Sequence, residues 1–331
     1  MIRIEVWADV VCAWAYIGKR RVEAALRTWR GEPVEVVWRP FRIDPMAPAQ
    51  AAPLAEVLRD PLVDAALQQC APGLSAAENR VRVSEIAAAE GLGPRWGAAW
   101  RASSQDAHRL IALAHAQGGA ALQDAVVEGV LRAHFTEGRD ISLAATLEEV
   151  AGAAGFADGG RLLRGGGAER EVRELLLRAK AIGVTTSPTI VVGTEALAGA
   201  HAPEVIARFL ADAAAGGPRR ELPEEVERLR LAEALLDRSD PLGCLTLLGP
   251  LLTAHPQDRS VRLLAARAYF RSAQLGNARS TLESLAAEVP DDAYVRLVLG
   301  RVLERQGLPD AAAPHLRIAR AMEPAYGRQT G

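Results

Sequence analysis

The sequence predicts an α/β domain with a helical insertion, followed by an all-α array of repeats. Three observations carry that expectation. Ile2 to Trp7 alternates apolar and polar residues, as a strand does, and from Tyr16 to Trp29 the apolar residues Ile17, Val22, Ala25, Leu26 and Trp29 fall at helical spacing. Strand-like runs return at 33–39, 188–193 and 195–198, with a long helical stretch over 53–165 between the second and third. Beyond residue 223, four columns of residues repeat in phase at a step of 34.

A length of 331 residues suggests two or more domains. Apolar content of 49% and charged content of 24% are ordinary for a globular chain. A net charge of −2 gives no reason to expect nucleic acid or an anionic membrane as partner. No uninterrupted apolar run reaches the ~18 residues of a membrane span, and the chain enters a strand at once, with no leader-like segment. Cys12, Cys70 and Cys244 are too scattered for a disulfide framework. Together these features lead to the expectation of a cytoplasmic protein.

Taken in order, the first strand hands over to the first helix at Cys12. Unpaired N–H groups and the macrodipole at a helix start favour negative charge, so the expectation is a thiol with a lowered pKa. The second strand ends at Arg39–Pro45, where Pro40, Pro45 and Pro48 stop regular structure. Helices are expected at 80–90, 104–116, 122–134 and 143–153, stopped by Gly91, Gly118-Gly119 and Gly155. A helix over 169–182 returns the chain to the sheet, where Pro188 opens the β-branched run Thr189–Val192. A hairpin partner over 194–199 and a helix over 202–215 close a domain spanning 1–215. Residues 216–223, rich in Gly and Pro, read as a linker, and 224–331 as a second domain.

The run Asp9-x-x-Cys12-x-Trp14-x-Tyr16-Ile17-Gly18-Lys19-x-Arg21 resembles the thioredoxin-like DsbA family, in its FrnE-like branch, which neighbours the 2-hydroxychromene-2-carboxylate isomerases. Arg39-Pro40-Phe41 with Pro45, Ser103-Ser104-Gln105-Asp106-Ala107-His108-Arg109-Leu110 and Ala133-His134-Phe135 through Gly138, Asp140 and Ile141 are similar to further motifs of that branch, though Ser103 replaces its usual asparagine. The resemblance implies a thioredoxin-like sheet, a helical insertion at 53–165, and a cis-proline at Pro188, preceded by Ser187, facing the thiol. It also marks a departure. Where redox members carry Cys-Pro-Trp-Cys, this chain has Cys12-Ala13-Trp14-Ala15.

The 34-residue columns are Pro256/Pro290/Pro324, Leu248/Leu282/Leu316, Cys244/Ala278/Ala312 and Leu231/Ala265/Leu299. They resemble the tetratricopeptide pattern, in three units, and put Cys244 in a small-residue packing column. Such arrays bind protein segments or self-associate, and either is the expected partner.

Cys12 and His108 are the candidate catalytic residues. Trp14, Ala15, Phe41, Ser103, Ser104, Thr186, Ser187 and Pro188 are the candidate substrate contacts. His108 reads first as a packed core residue and otherwise as a group that supplies or takes a proton, and Asp9 first as the holder of the turn and otherwise as a modulator of the thiol. Cys70 carries no expected role. The six histidines show no zinc-ligand spacing, so no metal is expected. Gly165-Gly166-Gly167 follows no strand and does not read as a phosphate loop.

Dithiol exchange needs a second thiol to resolve the mixed disulfide, and Ala15 cannot supply it. Three readings stay open. Cys12 adds reversibly to an electron-poor conjugated alkene and catalyses cis–trans isomerisation, without a cofactor or with a low-molecular-weight thiol. Alternatively, it is a monothiol oxidoreductase or thiol transferase resolved by an external thiol. Or the domain is a retired binding module. The substrate expected on the first reading is a small molecule, free or tethered to a carrier protein.

Overall fold

The computed structural model describes residues 1–60, 73–216 and 222–327, and the chain divides into two compact units. Most of the expected linker, and Cys70, lie outside the described residues.

In the first unit β1 (Ile2–Ala8) runs parallel to β2 (Val34–Pro40), in register from Ile2 opposite Val34 to Ala8 opposite Pro40. Parallel neighbours need a crossover, and α1 (Ala13–Thr28) supplies it. On its other side β1 pairs antiparallel with β3 (Thr189–Val192), which turns into β4 (Glu195–Ala198), so the strand order is β2-β1-β3-β4. The alternation read from the sequence has a physical outlet on both faces. Ile4, Val6 and Ala8 enter the main core, whereas Trp7 joins Val191, Ala179 and Val184 in a smaller cluster. Phe41 packs against that second cluster.

The insertion holds α2 (Ala76–Ala89), α3 (Gln105–Phe135), α4 (Ala144–Ala153) and α5 (Gly159–Arg164); α6 (Glu169–Ala181) leads back to the sheet and α7 (Pro203–Ala215) closes the unit. Ser75 and Glu78 form a capping box at the start of α2. The two helices expected on either side of Gly118-Gly119 are the two halves of α3, which meet at a kink: Gly118 leaves helical geometry and Gly119 has φ +65, open to a residue without a Cβ. A two-residue ladder between Ala52–Pro53 and Trp100–Arg101 was not expected, since two residues are too few to show a period.

The edge of the sheet at β2 is closed by a side chain. Gln123 of α3, 1% exposed, accepts from Trp38 N at 2.9 Å and donates to Trp38 O at 3.0 Å. The carboxamide thus completes the ladder that a further strand would otherwise complete.

The second unit is a series of antiparallel helix pairs: α8 (Glu224–Asp237) with α9 (Pro241–Ala254), α10 (Arg259–Arg271) with α11 (Leu275–Glu288), and α12 (Ala293–Arg305) with α13 (Pro309–Met322). Two of the sequence columns lie wholly in its core, while the proline column is exposed. Cys244, Ala278 and Ala312 are buried, as are Leu248, Leu282 and Leu316. Asp258 and Asp292, one period apart, cap α10 and α12 through side-chain bonds to backbone N–H groups. At Gly300 a Cβ would come within 2.5 Å of Leu316, so α12 and α13 touch at a bare backbone.

All six tryptophans lie in the first 100 residues, so tryptophan fluorescence reports on the first unit alone. Gln123→Leu leaves the buried N–H and C=O of Trp38 unpaired, at about 1–3 kcal/mol each. A urea titration followed by tryptophan fluorescence is expected to show destabilisation of about 2–6 kcal/mol.

Candidate functional site

Cys12 is the N-cap of α1, with extended backbone geometry, and its carbonyl accepts from Ala15 N at 2.9 Å. The turn before it is closed by Cys12 N donating to Asp9 O at 2.9 Å. The thiol is 8% exposed and donates to the Ser187 carbonyl at 3.4 Å. The Ser187–Pro188 peptide is cis, and Pro188 is buried. Pro188 sits so close to α1 that a Cβ on Gly18 would lie 3.0 Å from its ring. Glycine at this point of the Tyr-Ile-Gly-Lys run is therefore a packing requirement.

Asp9 ties the site together. It is fully buried. Its Oδ1 lies 3.4 Å from Val11 N and 3.4 Å from His108 Nε2, and its Oδ2 accepts from Ile43 N at 2.7 Å. Its backbone N–H donates to Ser187 Oγ at 2.9 Å, and the Ser104 hydroxyl also bonds to the carboxylate. Burial alone would raise the carboxyl pKa. The hydrogen bond and charge of His108, with the Ile43 N–H and the Ser104 hydroxyl, outweigh it and hold Asp9 below its ordinary value.

His108 Nε2 also lies 3.0 Å from the Phe41 carbonyl. Both neighbours of that nitrogen are acceptors, so it carries the hydrogen. The ring therefore faces Asp9 and Phe41, while the thiol's own hydrogen bond goes to Ser187. His134, read from the sequence as isolated, lies buried in the electrostatic reach of Asp9 and Asp140. Burial pushes its pKa down to about 4, so it is neutral at pH 7, and its Nδ1 has no hydrogen-bond partner among the described residues.

The expected lowered pKa of Cys12 is overturned: the thiol is pushed up. Desolvation is the largest cause. The Ser187 side chain and the backbone N–H groups of Trp14 and Ala15 near the sulfur favour the thiolate but do not compensate, and the charge of Asp9 opposes ionisation further. The helix start does what the sequence suggested; burial of the sulfur, invisible in the sequence, exceeds it.

Other candidates separate. Trp14 is half-buried beside the thiol, with the Arg82 guanidinium 5.7 Å from its ring centre, a neighbour no sequence signal marked. Ala15 is 1% exposed, so the place of a second thiol is a methyl group inside the core. Phe41 packs with the Trp7 cluster, whereas Trp14 packs on the main core. Ser103 Oγ is 3.4 Å from Gln105 N, and Thr186 is exposed with its carbonyl taken by the Thr189 hydroxyl. Cys244 is buried in the repeat unit and its thiol is pushed up to about 12.

A family model described as a DSBA-like thioredoxin domain matches residues 3–211. The chain belongs to this DSBA-like thioredoxin family. A tetratricopeptide repeat model matches residues 235–302, within the helical array, so the DSBA-like domain is followed by tetratricopeptide repeats. Among solved structures, the probable DsbA oxidoreductase SCO1869 from Streptomyces coelicolor is 27% identical, with a TM-score of 0.55, over 67% of this chain and 94% of that one. A 2-hydroxychromene-2-carboxylate isomerase is 17% identical, with a TM-score of 0.45, over 65% and 95%. The cytosolic disulfide reductase DsbM from Pseudomonas aeruginosa is 16% identical, with a TM-score of 0.42, over 65% and 100%. No curated protein sequence matches the chain. Among the described residues, no helix is long and apolar enough to cross a membrane.

Rates of Cys12 alkylation measured against pH are expected to give a midpoint above the free-thiol value of about 8.5. Asp9→Asn removes a negative charge that opposes ionisation, so its midpoint is expected to fall below that of the wild type. An unchanged midpoint would mean that Asp9 acts on the thiol through geometry alone.

Proposed function

We propose that the DSBA-like domain is a single-thiol enzyme, an E/Z isomerase of electron-poor conjugated alkenes with Cys12 as its reversible nucleophile. The observation that carries this reading is Ala15: the chain keeps the first thiol of the motif, and a buried methyl group occupies the place of the second. A disulfide cycle then needs a co-reactant from outside. Addition and elimination need none.

The raised pKa of Cys12 bears on how such a step runs. The resting group is S–H. Sulfur bonds to the β-carbon of the alkene, the C=C π pair moves toward the carbonyl, and the thiol proton passes to the carbonyl oxygen, giving a neutral enol. Rotation about the new single bond follows. Return of the proton to sulfur, with cleavage of the C–S bond, restores the alkene in its other geometry. The Ser187 carbonyl, which accepts the thiol hydrogen at rest, holds the sulfur in the cis-proline loop. Trp14 offers an apolar face beside it. A carrier-tethered substrate gives the repeat array a role in delivery.

The 27% identity to an oxidoreductase favours a second reading, a monothiol disulfide exchanger completed by a small external thiol. Two substitutions separate them. Cys12→Ala is expected to abolish isomerisation of cis-configured α,β-unsaturated ketones and acids, followed by ultraviolet absorbance. Ala15→Cys is expected to create disulfide exchange and to lower isomerisation once oxidised, because the new disulfide consumes Cys12. Wild-type turnover of a disulfide with glutathione, without alkene isomerisation, would make the second reading the correct one.

A further inference from the structure

We propose that one face of the repeat unit binds an extended peptide segment in which carboxylates flank a large apolar side chain, seated on the second and third helix pairs. The argument starts from the first helix of each pair, α8, α10 and α12. At the same step of 34, one column reads Glu233, Arg267, Arg301 and the next reads Asp237, Arg271, Arg305. Both columns are acidic in the first pair and basic in the second and third.

The second column is used inside the fold. Arg271 donates to the Leu236 carbonyl, and Arg305 makes the same contact one repeat on, to the Phe270 carbonyl at 2.9 Å. Each guanidinium thereby adds a donor to a carbonyl in the last turn of the preceding first helix, which also accepts from the backbone N–H of Ser239 or Ala273. The first column has no such duty. Arg267 lies 3.8 Å from Glu233, and Arg301 lies 3.3 Å from Glu304, all four being partly exposed. Pairs of this kind hold their charges loosely and are open to competition from another carboxylate.

These two arginines border a cavity of about 320 Å³ whose apolar lining is Phe270, Tyr294, Leu297 and Val298. Phe270, Tyr294 and Leu297 are only partly buried, and the Phe270 ring carries the Arg305 guanidinium 5.4 Å from its centre. Arg271 also lines the cavity, with its guanidinium on the Leu236 carbonyl; apolar surface with the Arg267 and Arg301 guanidinium groups beside it fits a bulky side chain with a carboxylate on the neighbouring residue, which arginine takes in bidentate fashion. Asp237 is the one carboxylate in the lining, and it belongs to the acidic first pair. The charge step between pairs thus excludes a uniformly basic segment from this cavity. The inference is independent of the reaction assigned to Cys12.

The test is selection of short random peptides displayed on phage against the full-length protein, followed by fluorescence anisotropy with the selected peptides. Enrichment of Asp or Glu next to Leu, Ile, Phe, Trp or Tyr is expected. The double variant Arg267→Glu with Arg301→Glu is expected to weaken a selected peptide by about tenfold or more, and a Lys-for-Asp/Glu version of that peptide is expected to recover binding to it. Arg267→Gln with Arg301→Gln, with its helical circular dichroism and melting temperature matched to wild type, guards against a folding defect. No enrichment, enrichment of basic or uncharged peptides, or unchanged binding of selected acidic peptides by both double variants would overturn the proposal. So would a concentration-dependent dimer that the same peptides fail to displace, since a second copy would then be the occupant.

Discussion

The buried carboxylate of Asp9 is the contact on which the first unit's candidate site depends. Three pieces of chain meet on it, the turn carrying Cys12, the loop after β2 and the start of α3, and the backbone N–H of the same residue ties in the loop before β3. A buried carboxylate without partners would take up a proton. Here backbone N–H groups, a hydroxyl and an imidazole surround it, and it stays ionised. The same charge that orders these segments lies close enough to Cys12 to oppose its ionisation. Architecture and reactivity therefore share one residue.

This coupling sets the character of the thiol. Two influences act on it with opposite signs. Backbone N–H groups at the start of α1 favour the anion, as at any helix start, whereas desolvation and the Asp9 charge favour the neutral form. Burial prevails because the sulfur lies under the cis-proline loop, with Ser187 on it and Pro188 packed against Gly18. A protonated thiol of high intrinsic basicity is a slower leaving group but a stronger nucleophile once deprotonated or proton-coupled.

The repeat unit solves a different problem with the same economy of residues. Its period of 34 places small residues where helices touch, aspartates where helices begin, and arginines where the preceding first helix ends. Beside those duties, the neighbouring column on the first helices changes sign in the same way, from Glu233 to Arg267 and Arg301.

How much was legible beforehand follows the range of the interactions concerned. Local periodicity sufficed for β1, α1, β2 and the helix pairs, since alternation, helical spacing and a strict repeat are properties of neighbouring residues. The family motif carried the place of Cys12 and the cis peptide at Pro188. The identity of residue 15 was itself enough to remove a resolving thiol from the motif. The remainder needed the fold. Gln123 closing the β2 edge, His134 buried near Asp9, Arg82 over Trp14 and Phe41 on the far cluster join residues without sequence proximity or period. The direction of the Cys12 pKa was beyond the sequence for the same reason: the helix start that favours the thiolate is a local feature, but the desolvation that exceeds it comes from distant segments packed over the sulfur.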